Sequence, residues 1–261
     1  SIIIGVSGGI AAYKTAYLVS ALSKTEADVN VIMTKNACEF ISPLVFETLT
    51  GNKCYVDTFD RNFKFDVEHI SLAKKADIFM IAPATANVIA KIANGIADDM
   101  LTTTFLASKC KKIVSPAMNT AMFENQITQD NIAKLKKYEI GVVEPQNGLL
   151  ACGDTGAGKM PEPDFLFDVI EREIAREKDM LGKKVLVTAG ATMESLDPVR
   201  FLTNHSSGKM GFALAKEAML RGAEVTVVKA NTTAEIPNFV KIVEVSSAKD
   251  MFDAVTALSD Q

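Results

Sequence analysis

The chain has 261 residues, 48% of them hydrophobic, a length that allows one large core or two unequal domains because single cores stop growing near roughly 250 residues. Its 28 basic and 32 acidic residues are well mixed and give a formal net charge of −4. Such a chain has no basic field to hold a phosphate backbone, so we expect no nucleic-acid partner. Four cysteines without a close pair and two histidines favour a reducing cytoplasm, without structural disulfides or a metal site.

The amino-terminal sequence and the longest apolar stretch do not predict membrane targeting. Ile2-Ile3-Ile4 is too short for a signal peptide and is soon followed by glycines. The stretch from Ile78 to Ala97 is interrupted by a proline, a lysine and two asparagines. A membrane span needs about 20 consecutive apolar residues, so this stretch predicts a buried strand followed by a helix, and we expect no membrane partner.

Short apolar runs alternate with segments of helical spacing, which predicts a parallel sheet covered by helices. The near-continuous hydrophobicity of these runs predicts burial on both faces. The predicted strands are Ile2 to Val6, Asp28 to Met33, Ile78 to Ala82, Lys112 to Val114 and Gly141 to Val143.

A second unit is predicted after a charged helix from Asp164 to Asp179. It begins with a strand from Lys184 to Thr188, continues with a helix from Gly208 to Arg221, and reaches another strand from Glu224 to Val228. This is a second βαβ opening. We therefore expect one domain over residues 1–180 and the start of another over residues 181–261.

Glycines follow the first predicted strand, in Gly5-Val6-Ser7-Gly8-Gly9-Ile10. Glycine lets the backbone approach an anion, and the amides at the start of a helix favour phosphate. The run lacks the third glycine of the dinucleotide fingerprint. By itself it fits either a phosphate site or a tight strand-to-helix turn that binds nothing.

Two further segments follow predicted strands, where the ligand crevice of an open parallel sheet lies. In Ala82–Asn87, Thr85 and Asn87 are candidates to contact a flat ring and a ribityl chain, although this segment alone favours a helix cap. In the next, Asn119 offers a donor and an acceptor that can orient a carboxylate without charge. Met118 and Met122 are of a type that more often fills a core.

Cys152 and His69 are the remaining candidates for chemistry. Cys152 lies at the centre of the glycine-rich segment 148–158, which predicts a mobile flap carrying a thiol rather than a buried inert cysteine. His69 can accept a proton near neutral pH. A single histidine at the start of a helix is more often structural, so the residue alone does not indicate catalysis.

Taken together, several ordered segments resemble those of the homo-oligomeric flavin-containing cysteine decarboxylases, and among them the bacterial bifunctional phosphopantothenoylcysteine decarboxylase/phosphopantothenate–cysteine ligases. The resemblance covers essentially the whole chain. Its segments are Ser7–Lys14, His69–Leu72, Ala82–Asn87, Gly95–Asp99, Pro116–Asn119 and Leu150–Gly153. It implies an α/β fold, with a Rossmann-like doubly wound parallel sheet as the flavoprotein domain, followed by the start of a second Rossmann-like α/β domain.

The same resemblance implies FMN as the cofactor and assigns roles to individual residues. His69 would be the base, Asn119 would hold the substrate carboxylate with Met122 as a further substrate contact, and Cys152 would donate a proton from the flap. Active sites would lie between the subunits of a homo-oligomer, a trimer or a multiple of trimers. The implied FMN contacts are Ser7, Gly8, Gly9, Ile10, Thr34, Phe40, Ala84, Thr85, Ala86, Asn87 and Ala117.

The implied reaction is the decarboxylation of 4'-phosphopantothenoylcysteine to 4'-phosphopantetheine in coenzyme A biosynthesis. A carboxylate on an sp3 carbon leaves only if its electron pair finds an acceptor. In the family, FMN oxidises the cysteine thiol to a thioaldehyde, which accepts that pair as carbon dioxide departs and becomes an enethiol. Reduced FMN and a proton then convert the enethiol to a saturated thiol, so no flavin is consumed.

The second unit resembles the start of the family's ligase through Thr188–Gly190, Asp197–Phe201 and Asn204–Gly211. In that family an arginine and an asparagine of this block serve the acyl-cytidylate intermediate, which implies Arg200 and Asn204, with CTP and Mg²⁺ as cofactors of the ligase half of a full-length protein. The family's later Ala-Ala-Val and Lys-x-Lys-Lys segments do not occur in this second unit, residues 181–261. We therefore expect an incomplete ligase part and no ligation by this chain alone.

Three alternatives remain. The first is another enzyme of the same fold, a peptidyl-cysteine decarboxylase or a prenyl-flavin synthase. The second is a non-catalytic relative that regulates phosphatases, and the third is an NAD-dependent dehydrogenase. The ligase-like segment favours coenzyme A biosynthesis, and the joint presence of His69, Asn119 and Cys152 favours an active enzyme.

Overall fold

The structure is a computed structural model that describes residues 1–58, 68–149 and 155–259, without the side chains of residues 68, 69 and 149. It divides into two compact units, Ser1–Ile170 and Glu171–Gln261. The domain boundary between residues 180 and 181 stays a prediction. Among the described residues, no helix combines the length and the apolar character needed to cross a membrane.

The first unit alternates strands with helices, as its sequence predicts. Its strands are β1 (Ile2–Val6), β2 (Val29–Met33), β3 (Cys54–Tyr55), β4 (Ile78–Ala84), β5 (Lys111–Pro116), β6 (Gly141–Val142), β7 (Gln146–Leu149) and β8 (Thr155–Lys159). Its helices are α1 (Ala12–Leu22), α2 (Lys35–Cys38), α3 (Pro43–Thr50), α4 (Glu68–Lys75), α5 (Ala86–Ala93), α6 (Met100–Ala107), α7 (Thr120–Glu124), α8 (Gln126–Lys137) and α9 (Pro163–Ile174), the last of which crosses into the second unit.

Strands β1 to β6 form one sheet in the order β3-β2-β1-β4-β5-β6. All neighbouring strands in it are parallel. The chain first adds strands on one side of β1 and then, from β4 onward, on the other, so the strand order reverses between β1 and β4. This is the doubly wound topology, in which ligands bind outside the carboxyl ends of the strands at the reversal point. The predicted fold class of the first unit is confirmed.

The central strands are buried on both faces. Every residue of β1, β2 and β4 is buried, whereas β6, at the edge of the sheet, is only half-buried. Under the sheet, the rings of Phe79 and Phe105 meet edge to face with their centroids 5.1 Å apart, and both side chains are fully buried. Such aromatic pairs contribute packing beyond the burial of area alone. They help to fix the face of the sheet against α6.

The glycine-rich segment predicted as a flap contains an antiparallel hairpin of β7 and β8, in which Gly148 pairs with Gly156. The apolar alternation that predicts strands is absent here, because three of the nine strand positions are glycines and four are polar. Residues 150–154, between β7 and β8, lie outside the described residues, so the mobility of the flap stays a prediction.

The elements of the second unit are β9 (Lys184–Ala189), β10 (Met193–Ser195), β11 (Phe201–Thr203), α10 (Lys209–Leu220), β12 (Glu224–Lys229), β13 (Lys241–Glu244) and α11 (Ala248–Ser259). The unit contains a parallel sheet in the order β13-β12-β9 and a separate two-stranded sheet of β10 and β11. Its main helix, α10, packs a face with Phe212, Ala215 and Met219 into a core with Val225 and Val227. A second α/β region is thus confirmed.

Helix α9 is shorter than predicted, because it ends at Ile174 rather than at Asp179. The residues that follow are compatible with a helix by composition, but three of them contact the end of α10 instead. The Lys178 ammonium donates to the Leu220 carbonyl at 2.6 Å, the Met180 amide donates to the Arg221 carbonyl at 3.0 Å, and Asp179 forms an ion pair with Arg221. These contacts with the end of α10 replace further helical turns, so tertiary structure overrides local propensity.

Replacing Phe105 by alanine is expected to lower the free energy of unfolding by about 3–5 kcal/mol, because the change leaves a cavity beside Phe79 in a close-packed core. Urea denaturation measures the change. Phe40→Ala provides the control, since that ring is 52% exposed and its loss should cost under about 1 kcal/mol. Equal losses in the two variants would contradict the assignment of Phe105 to the core.

Candidate active site

A cavity of about 1280 Å³ opens in the first unit at the carboxyl ends of β1, β2, β4 and β5. This is the location that the reversal of strand order predicts for a ligand. The sequence segments that follow the four strands meet here. The predicted cofactor contacts that line the cavity are Ser7, Gly8, Gly9, Ile10, Thr34, Thr85, Ala86, Asn87 and Ala117.

The buried Ser7 hydroxyl joins the loop after β1 to the loop after β4. It donates to the Pro83 carbonyl at 2.7 Å and accepts from the Thr85 amide at 3.0 Å. The Thr85 hydroxyl lies 3.2 Å away and also accepts from the Val88 amide, so Thr85 is the N-cap of α5. The helix-cap interpretation of this segment is therefore correct, and the same residue also lines the cavity.

The two glycines of the turn differ in their surroundings. A Cβ on Gly8 would lie 2.6 Å from the Asn36 Cβ and 2.8 Å from its carbonyl carbon, so the backbone of α2 leaves no space for a side chain. A Cβ on Gly9 would meet only the Thr85 Cγ2, at 3.9 Å. Gly8 is thus explained by packing of the protein against itself. Gly9 has no such steric reason and lines the open cavity.

Asn119 follows β5 and is the N-cap of α7. Its Oδ1 accepts from the Ala121 amide at 2.9 Å, which fixes the oxygen toward the helix and makes Nδ2 the donor side of the group. Asn119 and Met122 both line the cavity. Met122 is 49% exposed, whereas Met118 is partly buried and packs against the core, so the general expectation that methionine fills a core holds only for Met118.

Two of the predicted cofactor contacts lie elsewhere. Ala84 is fully buried at the end of β4, where it pairs with Pro116. Phe40 is 52% exposed and is not part of the described cavity lining.

The side chains of the predicted base, His69, and of the predicted proton donor, Cys152, lie outside the described residues. His69 is the second residue of α4, as expected for a histidine at a helix start, but its side chain lies outside the described residues. Cys152 belongs to residues 150–154, which are also outside them. Their roles stay predictions.

The cavity also contains charged residues for which the sequence predicts no role. Lys14 is 8% exposed and donates from Nζ to the Met160 carbonyl at 3.2 Å and to Glu162 Oε1 at 2.8 Å. Lys91 binds Asp98 at 2.7 Å and Asp99 at 3.4 Å. Lys14 and the two aspartates occur in the segments that carry the family resemblance. Their ion pairs could not be predicted, because Glu162 is distant from Lys14 in sequence and the pairs of Lys91 depend on the geometry of a loop.

These ion pairs shift the affinities of the groups for protons. The hydrogen bond from Lys14 is the main reason that the pKa of the Glu162 carboxyl lies below its usual range, and the charges of Lys14 and Lys159 add to it. The hydrogen bond to Asp98 likewise raises the pKa of Lys91 and lowers that of Asp98. At neutral pH Glu162, Lys91 and Asp98 are therefore charged.

The residues predicted to serve the ligase lie in the second unit and are exposed. The Arg200 guanidinium binds Asp197 at 2.6 Å, and the other Asp197 oxygen accepts from the Val199 and Arg200 amides. The Asn204 Oδ1 accepts from the Ser206 amide at 2.9 Å. Both side chains are thus held locally, in loops before α10.

Comparison with known proteins identifies the family. Residues 1–175 match the family described as Flavoprotein, which covers the whole sheet and the cavity. The chain belongs to this flavoprotein family. Residues 180–261 match the family described as DNA/pantothenate metabolism flavoprotein C-terminal domain. The family resemblance inferred from the ordered motifs is confirmed.

Individual relatives of this flavoprotein carry more specific names. The coenzyme A biosynthesis bifunctional protein CoaBC of Bacillus subtilis (strain 168) is 44% identical over 263 residues, which cover 100% of this chain and 65% of that protein. The chain thus spans just under two thirds of its length.

Solved structures with the same fold include a PPC decarboxylase mutant complexed with pantothenoylaminoethenethiol, with a TM-score of 0.58 and 29% identity over 65% of this chain and 94% of that chain. A further one is the FMN-dependent cysteine decarboxylase SpaF, with a TM-score of 0.54 and 32% identity over 60% of this chain and 89% of that chain.

The glycine turn of this flavoprotein yields a paired prediction. Gly8→Ala should destabilise the flavin-free protein by about 1–3 kcal/mol, because its methyl group overlaps the Asn36 backbone. Gly9→Ala should leave that stability within about 0.5 kcal/mol and weaken flavin binding at least about tenfold, because its methyl group enters the cavity. Denaturation without flavin and a flavin fluorescence titration give the two values. The reverse pattern would mean that Gly9, not Gly8, is the structural glycine.

The Glu162 carboxylate should make stability depend on pH. Its pKa is lowered in the folded state, so its stabilising contribution is present above the usual glutamate range and is lost as pH falls through the lowered pKa. We expect the stability difference between the wild type and Glu162→Gln to shrink when urea denaturation is repeated from about pH 7 down to about pH 3. Glu26→Gln, in an exposed turn, is the control. A constant difference would contradict the ion-pair explanation.

Proposed function

We propose that the first unit is an FMN-dependent decarboxylase that converts 4'-phosphopantothenoylcysteine to 4'-phosphopantetheine in coenzyme A biosynthesis. The observation that carries this proposal is the convergence of the glycine turn, the start of α5 and Asn119 on one cavity at the reversal of strand order. The pantothenate-metabolism match of residues 180–261 favours this substrate over other cysteine compounds.

The cavity fits a flavin in size and in the character of its walls. Its volume of about 1280 Å³ exceeds the roughly 300–1,000 Å³ of common small-molecule sites, which leaves room for a cofactor and a substrate together. Gly9 offers a backbone that a ligand can approach without meeting a side chain. Thr34, Thr85 and Asn87 add polar groups around it. These residues would hold FMN, which when bound supplies the electron acceptor that loss of carbon dioxide requires.

Asn119 is proposed to hold the substrate carboxylate. Because its Oδ1 accepts from the Ala121 amide, Nδ2 is the side of the group that can donate to a carboxylate. An uncharged donor suits this role, since it orients the carboxylate without stabilising it so strongly that its departure is opposed. Met122, exposed on the same cavity wall, would contact the apolar part of the substrate.

His69 and Cys152 are proposed to move the protons of the reaction. His69 would take the proton released when the thiol is oxidised, and Cys152 would deliver a proton to the carbon of the enethiol after carbon dioxide has left. The name of one relative supports the second step, because a mutant of that PPC decarboxylase is complexed with pantothenoylaminoethenethiol, an enethiol.

We propose that the protein acts as a homo-oligomer, a trimer or a multiple of trimers. Ile10, Tyr13 and Tyr17 on and before α1 are 58%, 52% and 67% exposed, and the first two line the cavity. A second copy packed against these apolar side chains would both bury them and help to close the site. Phe40, exposed outside the cavity of its own chain, is then available to contact the flavin of a neighbouring copy. Light scattering on the purified protein measures the assembly.

For the full-length protein we propose a second activity, the CTP- and Mg²⁺-dependent joining of phosphopantothenate to cysteine, with Arg200 and Asn204 at the acyl-cytidylate. The pantothenate-metabolism match of the second unit and the name of the bifunctional relative support this proposal.

Turnover of two substrates tests the first proposal. The chain with FMN should release carbon dioxide from 4'-phosphopantothenoylcysteine and form 4'-phosphopantetheine, whereas a peptide ending in cysteine, the kind of substrate a peptidyl-cysteine decarboxylase takes, should react at least about a hundredfold more slowly. Mass spectrometry of the products and trapping of the carbon dioxide provide the measurement. Preference for the peptide would replace the coenzyme A assignment with the peptidyl one.

Cys152→Ser should separate the two halves of the reaction. Oxidation and decarboxylation do not require the thiol, whereas proton delivery to the enethiol does, and a positioned proton donor contributes about 10²- to 10⁴-fold. We expect one carbon dioxide per flavin, bleached flavin absorbance and accumulation of the enethiol under anaerobic rapid mixing. Cys110→Ser, a half-buried cysteine away from the described cavity lining, should turn over normally. Repeated turnover by Cys152→Ser would remove it from the mechanism.

A further inference from the structure

The lysines of the described cavity lining are Lys14, Lys35, Lys91 and Lys159, and the first three each have a close carboxylate partner. Lys14 binds Glu162 Oε1 at 2.8 Å and Lys35 binds Asp57 at 3.0 Å. Lys91 binds Asp98 at 2.7 Å. Ammonium groups held in this way have most of their charge compensated before any ligand arrives.

Lys159 differs because it shares its carboxylate. Its Nζ lies 3.5 Å from Glu162 Oε1. The buried Lys14 ammonium contacts the same oxygen at the shorter distance of 2.8 Å. Two positive charges therefore face one negative charge, and the shorter, more buried contact belongs to Lys14. One positive charge is left uncompensated within this group of three, and Lys159, with 38% of its side chain exposed, carries it into the cavity.

The strand that carries Lys159 adjoins the proposed substrate site. The Met118 amide donates to the Gly158 carbonyl at 3.1 Å, which joins β8 to the segment before α7 one residue ahead of both Lys159 and Asn119. The stem of Lys159 passes over Gly148 of the partner strand, where an added Cβ would lie 3.5 Å from its Cδ. Lys159 and Asn119 thus lie on adjoining segments of the backbone and both line the cavity.

The part of the lining around Lys91 carries a net negative charge. Lys91 faces both Asp98 and Asp99, at 2.7 and 3.4 Å, so this group of three carries one uncompensated negative charge. An anionic ligand in the cavity is repelled by the Asp98–Asp99 end and attracted to the hairpin. Among the described residues, the cavity is therefore polarised along its lining, which can orient a ligand with charged and uncharged ends.

The geometry points to Lys159 as a substrate-binding residue that receives an oxyanion of the substrate, either its cysteine carboxylate or its 4'-phosphate. This inference rests on the proposed function, because it takes 4'-phosphopantothenoylcysteine as the substrate. Lys159 binds the anion. Glu162, which already forms its shorter ion pair with Lys14, positions the Lys159 ammonium without neutralising its charge. An ammonium on a partly exposed side chain suits an anion that must both enter and leave.

Steady-state kinetics of the FMN-loaded chain test the role with Lys159→Met, Lys159→Arg and a control, Lys24→Met, which alters an exposed lysine at the end of α1. Substrates are 4'-phosphopantothenoylcysteine and pantothenoylcysteine, which lacks the phosphate. Lys159→Met should raise KM about ten- to a hundredfold without lowering kcat, since the charge-assisted contact is made with the bound substrate and is not strengthened as the reaction proceeds. Lys159→Arg should restore most of the affinity, and Lys24→Met should match the wild type.

The two substrates identify the oxyanion. A KM increase with both compounds assigns Lys159 to the carboxylate, and an increase confined to the phosphorylated compound assigns it to the phosphate. Added salt should raise the KM of the wild type more than that of Lys159→Met, because it screens the attraction.

If the wild type turns over the substrate and Lys159→Met has the same KM, the inference is overturned and the proposed function stays intact. The inference is also overturned if Lys159→Met and Lys159→Arg lose flavin and thermal stability alike, which indicates a structural role. Absence of turnover by the wild type overturns the proposed function and this inference with it.

Discussion

The buried hydroxyl of Ser7 holds together the two strand ends around which the cavity is built. A side chain that is 1% exposed cannot use bulk water to satisfy its donor and acceptor, so its bonds to the Pro83 carbonyl and the Thr85 amide must both form in the folded protein. Those bonds fix the glycine turn after β1 against the start of α5. The open side of Gly9, the cap of α5 and the polar groups of the cavity take their positions from this connection.

The central sheet could be predicted because its strands carry one strong and local signal. Val29–Met33, apart from Asn30, and Ile78–Ala84 are apolar without alternation and are bounded by polar or small residues, which indicates burial on both faces. The hairpin lacked any such signal, since glycine provides no side-chain pattern. The early end of α9 was equally hidden, because Lys178 and Asp179 are compatible with a helix until their contacts with Leu220 and Arg221 are known.

The location of the site could be predicted better than its charges. The parallel topology places every strand-end segment at one edge of the sheet, so Ser7, Thr85 and Asn119 were found from their order after predicted strands. Phe40 does not follow the same logic, because it lies beyond the first turn after β2 and its side chain is exposed. The partnership of Lys14 with Glu162 joins residues 148 positions apart, and local patterns hold no information about such a pair.

The hairpin of β7 and β8 and the residues after it contact two other parts of the cavity wall. Its second strand is tied to the segment before α7 through Met118 and Gly158, and its end is tied to α1 through the Lys14 contacts with Met160 and Glu162. Gly158 has φ of +134°, and an added Cβ would lie only 2.2 Å from the Met118 carbonyl oxygen. Only glycine therefore allows the strand to run this close to the cavity wall. The same strand that approaches Asn119 so closely also carries Lys159, so the packing that requires a glycine also sets where a positive charge meets the ligand.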